Sequence, residues 1–183
     1  MKNPIKTFFF KTCLLANLSI LSLTGVSQES PYASPIVDIG VVVRNLDESA
    51  KFYSKALGLT EVEGFEVNGA YAKRVGLTDG KELKIRVFTL GGDAPTTKIK
   101  LMSFGCDVGK PSDNTYIHSE LGVSYLTFFV PNLNSALERA HKSGVSPISE
   151  GPLELPKNLP QGVFLALVRD PDGNIIELVG PMN

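Results

Sequence analysis

One carboxylate interrupts the most apolar stretch near the end of the chain. Glu177 is the only charged residue between positions 175 and 179, where its neighbours are Ile, Leu and Val. A carboxylate on a strand that is apolar on both faces needs a hydrogen-bond donor or a cation as its partner. With such a partner it can act as a general base or as a ligand for a divalent metal. A functional site in this chain is therefore expected to contain Glu177 together with that partner.

Glu177 stands on the second arm of a predicted β-hairpin. Two apolar runs, residues 163–169 and 175–179, flank the sequence Asp170-Pro171-Asp172-Gly173-Asn174. Proline presets φ, Asp bonds its own backbone, and Gly and Asn accept positive φ, so these residues are typical of a tight turn. The pattern predicts two antiparallel strands joined by that turn.

The chain contains one larger pattern twice. The matched pairs are Val43 with Val130, Asn45 with Asn132, and Leu46 with Leu133. In each copy an apolar run predicts a strand, and Asn or Asp (Asn45 or Asp47, then Asn132 or Asn134) can cap the helix that follows. Gly58 and Gly144 are expected to end the two helices.

Further strands are predicted after each helix. In the first half they lie near residues 62–74, 83–90 and 98–104, and in the second half near 146–149, 163–169 and 175–179. The order βαβββ therefore occurs twice, in modules 36–104 and 121–183, with a Gly- and Pro-rich linker at 105–120. We predict an α+β fold in which the two βαβββ modules form a cupped mixed sheet with the helices outside.

The beginning of the chain is predicted to be a secretory signal peptide. Lys2, Lys6 and Lys11 precede an apolar run at 13–26, and small residues precede position 28. We expect cleavage after residue 27, a short linker at 28–35 and a periplasmic or secreted protein, with an uncleaved anchor as the alternative. Cleavage leaves Cys106 as the one cysteine, so no intrachain disulfide is expected.

The remaining composition excludes some partners. Of 18 basic residues the signal peptide removes three, which leaves 15 against 19 acidic residues. Nucleic-acid binding needs a clustered basic face, and none is indicated. No membrane partner is expected after cleavage, whereas a homodimer through edge strands is a possible assembly.

Three motifs resemble those of the vicinal oxygen chelate superfamily, which includes glyoxalase I, bleomycin-resistance proteins and extradiol dioxygenases. They are the V-x-N-L-[DN] strand-to-helix step, FYSKALGL at 52–59 and DPDGNIIEL at 170–178. The resemblance covers residues 36–181 and implies the fold more than a reaction, because this scaffold hosts many chemistries.

The resemblance implies four positions at which metal-using members place ligands. They are Asp38, Lys100, Tyr125 and Glu177. Only Glu177 keeps the usual residue type; Asp38 could ligate, Tyr125 only poorly, and an ammonium cannot. No metal cofactor is therefore expected, although a divalent metal is possible if a residue such as His118 supplies a further ligand.

Lys100 has two interpretations. Placed between the carboxylates of Asp38 and Glu177, it can form a structural salt bridge that satisfies Glu177, or it can supply the positive charge that binds a substrate oxyanion. Lys84, Arg86 and Lys98 could add positive charge to the cup or lie on its solvated side. His118 and His141 are interpreted as surface histidines of a loop and a helix.

Strand alternation predicts which side chains face the cup. The predicted ligand-binding residues are Asp38, Lys100, Tyr125, Thr127, Phe129 and Glu177, with Gly40, Val42, Ile175 and Val179 beside them. A mostly apolar pocket with a few polar groups is typical of a small-molecule site.

Three functions remain open from the sequence. The first is an exported, metal-independent binder of a small, partly apolar molecule. The second is a metal-dependent lyase, isomerase or dioxygenase of the glyoxalase type. If this chain is an enzyme, Glu177 is expected to be the general base, and Tyr125 or Lys100 to stabilise an enolate-like oxygen. The third is a protein-binding module whose cup is filled by side chains.

Overall fold

The fold was analysed in a computed structural model, which describes residues 30–92, 95–105, 109–148 and 150–182. Residues 34–183 form one compact unit that holds every described helix and strand. The predicted signal peptide and Cys106 lie outside the described residues. In the described part no helix is long and apolar enough to cross a membrane.

The first module contains four strands and two short helices. In chain order they are β1 (Ile39–Val42), α1 (Leu46–Lys51), which continues as a π-helical segment (Phe52–Ala56), β2 (Thr60–Val67), α2 (Gly69–Arg74), β3 (Leu83–Thr89) and β4 (Lys98–Ser103). The second module contains β5 (Tyr125–Phe129), α3 (Leu133–Lys142), β6 (Leu153–Glu154), β7 (Phe164–Arg169) and β8 (Ile175–Gly180).

Each module forms its own four-stranded mixed sheet. The strand orders are β1-β4-β3-β2 and β5-β8-β7-β6. In both sheets the first strand pairs in parallel with the last, and the other pairs are antiparallel. The α+β class and the repeated βαβββ order are thereby confirmed.

Helix α1 with its π-helical extension and helix α3 share one core with one face of each sheet. Tyr53, Phe88, Leu101, Leu133 and Ile176 are fully buried in a single cluster to which both modules contribute. Burial of this apolar area stabilises the two modules as one unit. Asn45 and Asn132, one of the two candidates in each copy, cap α1 and α3 by accepting backbone N–H bonds.

The predicted hairpin between β7 and β8 is confirmed. Asp170 accepts hydrogen bonds from the backbone N–H groups of Asp172 and Asn174, and Gly173 has φ of 89°. This positive φ is the conformation for which glycine is preferred. The hairpin fixes β8, and with it Glu177, beside β5.

Two strand predictions were wrong. The strand predicted at 62–74 ends at Val67, because the Asn68 side chain accepts the N–H of Tyr71 and caps α2. The strand predicted at 146–149 is replaced by β6 further on. The Ile148 N–H donates to Leu167 O, but Pro147 has no N–H to donate, so this single hydrogen bond does not extend into a strand pairing. Ser149 lies outside the described residues.

Helix α2 covers part of the other face of the first sheet. Ala72 is buried against Leu83, Ile85 and Val87, which alternate along β3 with Arg86 and Phe88. Phe88 belongs to the shared core, so α1 and α2 lie on opposite faces of this sheet. Between β6 and β7 the chain forms turns where the first module has α2.

Candidate functional site

The open face of each sheet is the face turned away from the shared core, and it carries the predicted site residues. On β4, Lys100 alternates with Ile99 and Leu101, which are buried in the core. On β8, Glu177 alternates with Ile176 and Leu178 in the same way. Lys100 and Glu177 therefore project from the open faces of the first and the second sheet.

Lys100 forms an ion pair with Asp38. Its Nζ lies 2.8 Å from Asp38 Oδ2, and the N–H of Lys98 donates to Asp38 Oδ1 at 3.3 Å. The side chains of Lys100 and Asp38 are 31% and 34% exposed, so water and solutes reach the pair. The hydrogen bond from Lys100 holds the pKa of Asp38 below its ordinary value.

Glu177 finds a different partner. Thr127 lies beside it in the parallel register of β5 and β8, and the Thr127 hydroxyl donates to Glu177 Oε2 at 2.6 Å. The carboxylate is thus satisfied by a neighbouring hydroxyl of its own sheet. Of the two carboxylates predicted beside Lys100, Asp38 pairs with it through the parallel pairing of β1 and β4, whereas no Lys100–Glu177 pair is formed among the described residues.

The two aromatic residues of β5 are accessible. Tyr125 lines a cavity of about 240 Å³ together with the residues of β1, and Phe129 is 83% exposed. An aromatic ring that remains so exposed does not fill the open face, which leaves room there for a ligand. Asp38 and Lys98 line another cavity, of about 470 Å³, at the amino end of β1.

Arg86 does not add positive charge to the open face. Its guanidinium donates to both carboxylate oxygens of Glu61, at 2.6 and 2.7 Å, and to Asp47 of α1 at 2.8 Å. It therefore lies on the side of the first sheet that α1 covers. Lys84 is two residues away on the same strand and shares that side.

The two histidines lie in the linker and in α3, not on the strands at which the four predicted ligand positions lie. His118 stacks on the ring of Tyr116 in the linker, with ring centroids 5.6 Å apart. His141 is exposed in the last turn of α3. Among the described residues, no group of three His, Cys, Asp or Glu side chains is close enough together to hold a metal ion.

Comparison with known families agrees with this architecture. Residues 36–178 match the model of the Glyoxalase/Bleomycin resistance protein/Dioxygenase superfamily. The chain belongs to this superfamily. No curated protein sequence matches the chain significantly.

Solved structures of the glyoxalase superfamily share the fold. A glyoxalase family protein from Bacillus cereus is 20% identical, with 85% of this chain and 99% of that chain covered and a TM-score of 0.67. A glyoxylase/bleomycin resistance protein/dioxygenase domain from Frankia sp. EAN1pec is 20% identical over 83% and 95%, with a TM-score of 0.59. The trypanothione-dependent glyoxalase I of Leishmania major is 20% identical over 78% and 84%, with a TM-score of 0.53. At this identity the similarity shows the fold alone.

The residues at the four superfamily ligand positions do not fit a divalent metal. An ammonium cannot donate electrons to a cation, and here it already occupies the Asp38 carboxylate. Tyr125 would offer a neutral phenol, which is a poor ligand. Glu177 alone keeps the ligand type that this superfamily uses with metals.

A buried network of the hairpin was missed by sequence reasoning. The Tyr53 hydroxyl donates to the buried carboxylate of Asp170 at 3.2 Å, and Asn174 Nδ2 donates to the same oxygen at 2.8 Å. Burial raises the pKa of Asp170, and burial together with the Asp170 charge raises the pKa of Tyr53. The signal was available, since Tyr53 lies in one superfamily motif and Asp170 in the other.

Proposed function

We propose that this protein binds a small, partly apolar molecule on its open faces without a metal ion. The observation that carries the proposal is the ammonium of Lys100, paired with Asp38 at a position where metal-using relatives need a ligand. The pair is partly exposed, so a bound oxyanion can compete with Asp38 for Lys100. Exposed Phe129 and half-exposed Tyr125 supply apolar contact area.

Glu177 supports binding more than base catalysis in this proposal. Its Oε2 already accepts a hydrogen bond from the Thr127 hydroxyl at 2.6 Å. A ligand with a donor group can use the remaining lone pairs of Glu177. The role of Tyr125 is to contact the ligand through its ring.

Metal titration tests the proposal. Chelator-free, metal-depleted protein is titrated calorimetrically with zinc, nickel, manganese and iron(II), as wild type and as Glu177→Ala. We expect no stoichiometric binding at micromolar metal concentrations in either protein. Stoichiometric binding by the wild type that is lost in Glu177→Ala would overturn the proposal and favour a metal-dependent lyase, isomerase or dioxygenase of the glyoxalase type.

A gain-of-function variant sharpens the same experiment. Lys100→His replaces the ammonium by a residue that ligates metals and releases Asp38. We expect this variant to bind zinc more tightly than the wild type. The matched control is Lys157→His, which introduces the same residue at an exposed position between β6 and β7 and is expected to leave zinc affinity unchanged.

We also propose that the protein is exported. The support is the run of three lysines without acidic residues, the apolar residues 13–26 and the small residues that follow. Export places the open faces in the periplasm or outside the cell, where they meet extracellular molecules.

A further inference from the structure

A second cavity lies where β1 ends and the chain enters α1. It measures about 460 Å³, which is within the range of small-molecule sites. Three parts of the fold enclose it: the strand-to-helix step at Arg44, the linker from Gly109 to Asn114, and the β7–β8 turn at Asp172 and Asn174. Val42 and Asn174 also line the cavity at Tyr125, whereas the charged residues Arg44, Lys110 and Asp172 line only this one of the two cavities.

Among the described residues that line this cavity, Arg44, Lys81 and Lys110 are cationic and Asp172 is anionic. Lys81 already interacts with another group, which leaves Arg44 and Lys110 as the candidate anion-binding cations. Asp172 is already engaged, because both of its oxygens accept the Arg44 N–H at 3.2 Å and one accepts the Ser49 hydroxyl at 3.4 Å. Within the described part of the chain, the guanidinium of Arg44 and the ammonium of Lys110 form no ion pair or hydrogen bond.

The wall next to these cations is apolar. Val42, Phe104 and Pro111 line the same cavity. Val42 lies opposite Met102 in the β1–β4 register, and Phe104 follows two residues later on the same side of the chain. The cavity therefore joins an apolar wall to a positively charged rim.

We infer that this cavity binds a small organic anion, with its acidic group against Arg44 and Lys110 and its apolar body against Val42 and Phe104. The planar guanidinium donates in parallel to the two oxygens of a carboxylate or phosphate, and the ammonium adds a point charge. The inference rests on the proposal that the chain is a small-molecule binder, but it does not require Lys100.

The cations at this cavity differ from Lys100 in one decisive respect. Lys100 has its charge compensated by Asp38 at 2.8 Å, so an anion must compete for it. The anion at Arg44 and Lys110 has no described carboxylate to displace, because Asp172 accepts from backbone and hydroxyl groups. We therefore expect the stronger anion binding at this cavity.

Fluorescent naphthalene compounds test the inference. The full chain, freed of its signal peptide, is titrated with 1-naphthoate, 1-naphthyl phosphate and the uncharged 1-naphthamide. The protein has no tryptophan, so naphthalene emission is read without tryptophan overlap. We expect the two anions to bind more tightly than the amide, and their ranking shows whether the site takes a carboxylate or a phosphate.

Variants locate the bound anion. Arg44→Gln and Lys110→Gln are each expected to weaken binding of the better anion about tenfold, as one lost charge-assisted hydrogen bond predicts. Lys157→Gln is the matched control for a surface cation away from the cavity and is expected to leave the affinity unchanged. Lys100→Gln removes the cation of the open-face site, so a loss confined to that variant would place the anion there instead.

Several results would overturn the inference. They are equal binding of the amide, no binding of any of the three probes, or a loss confined to Lys100→Gln. Circular dichroism checks the fold of each variant, and Lys110→Gln, in the exposed linker, keeps the test decisive if Arg44→Gln does not fold. Metal titration is independent of these readouts, so failure here is distinguishable from failure of the metal-free function.

Discussion

Lys100 has two roles. It is the ion-pair partner of Asp38, and its ammonium is also a cation that solvent can reach. An ion pair whose members are each about one third exposed contributes roughly 0–1 kcal/mol to stability. A contribution that small can be exchanged for a contact with a ligand. The ion pair is therefore better understood as the ligand-free arrangement of the site than as an interaction that stabilises the fold.

We predict that removing Lys100 raises the pKa of Asp38. Lys100 lowers this pKa by hydrogen bonding and by its charge, so Lys100→Met should return it toward the ordinary 3.8. A lowered folded-state pKa means that the pair stabilises the protein above pH 3.8 and that this is lost as pH falls through the lowered value. Carboxyl-carbon NMR titration of wild type and variant measures the change.

Glu61 provides the internal control for that titration. Its pKa is lowered by Arg86 on the opposite face of the first sheet, so Lys100→Met should leave it unchanged. An Asp38 pKa that is the same in both proteins would contradict the ion pair.

The sequence predicts which residues belong to the site better than it predicts the hydrogen-bond or ion-pair partner of each. The need of Glu177 for a partner follows from its apolar neighbours, but the choice of Thr127 depends on the register of β5 against β8. Likewise the Asp38–Lys100 pair depends on the register of β1 against β4. A one-residue shift of register would turn these side chains to opposite faces, and no local pattern fixes it across so many residues.

Between elements, one arginine joins the helices of the two modules. Arg139 of α3 donates to the carbonyl oxygens of Ala56 and Leu57, at 3.2 and 2.9 Å. These carbonyls end the π-helical segment and have no further helical partners. Gly58 follows with φ of 81°, and a Cβ there would lie 2.9 Å from Arg139 Nε. The positive φ, together with the close approach of Arg139, explains why a glycine stands at this position.

We predict that Arg139→Gln lowers the free energy of unfolding by about 1–2 kcal/mol, because it removes charge-assisted bonds to helix-end carbonyls. Urea denaturation followed by circular dichroism measures the loss. The matched control on the same helix is Lys142→Ala, whose pair with Glu138 is exposed and screened by solvent, so its loss should cost clearly less than the loss of the Arg139 bonds. Equal losses in the two variants would contradict the role of Arg139.

Element boundaries were the weaker part of the sequence prediction. Residues 62–74 read as a strand because Val, Phe and Tyr recur there, yet Asn68 offers a side-chain acceptor that starts α2. An Asn can serve a turn, a strand end or a helix cap, and the choice here follows from packing of Ala72 on β3. Such tertiary packing is not visible in a local pattern.

Across the whole molecule, the superfamily motifs of the two modules meet in space. Tyr53, from the helix motif of the first module, bonds Asp170 in the hairpin motif of the second, and the Arg44 N–H bonds Asp172 two residues further on. The fold was predictable because these motifs mark both the ends of the elements and the contact between modules. The site was less predictable because superfamily membership fixes positions and not residue types.

We predict that the exported protein begins at residue 28. When the full chain is expressed in a bacterium with a periplasm, the periplasmic fraction should contain a protein whose amino-terminal sequence starts Gln-Glu-Ser. Leu15→Arg interrupts the apolar run and should retain the uncleaved chain in the cytoplasm. Full-length protein in the membrane fraction of the unmodified chain would instead indicate an anchor.

Helix α2 breaks the internal symmetry of the duplicated fold. It shields part of the open face of the first sheet, whereas the second module has turns at the corresponding place and leaves Phe129 exposed. A molecule lying across both sheets would meet a sheltered, charged half and a bare, aromatic half. The two halves of the site would then favour different chemical groups, so a compound with one charged end and one aromatic end would bind in a single orientation.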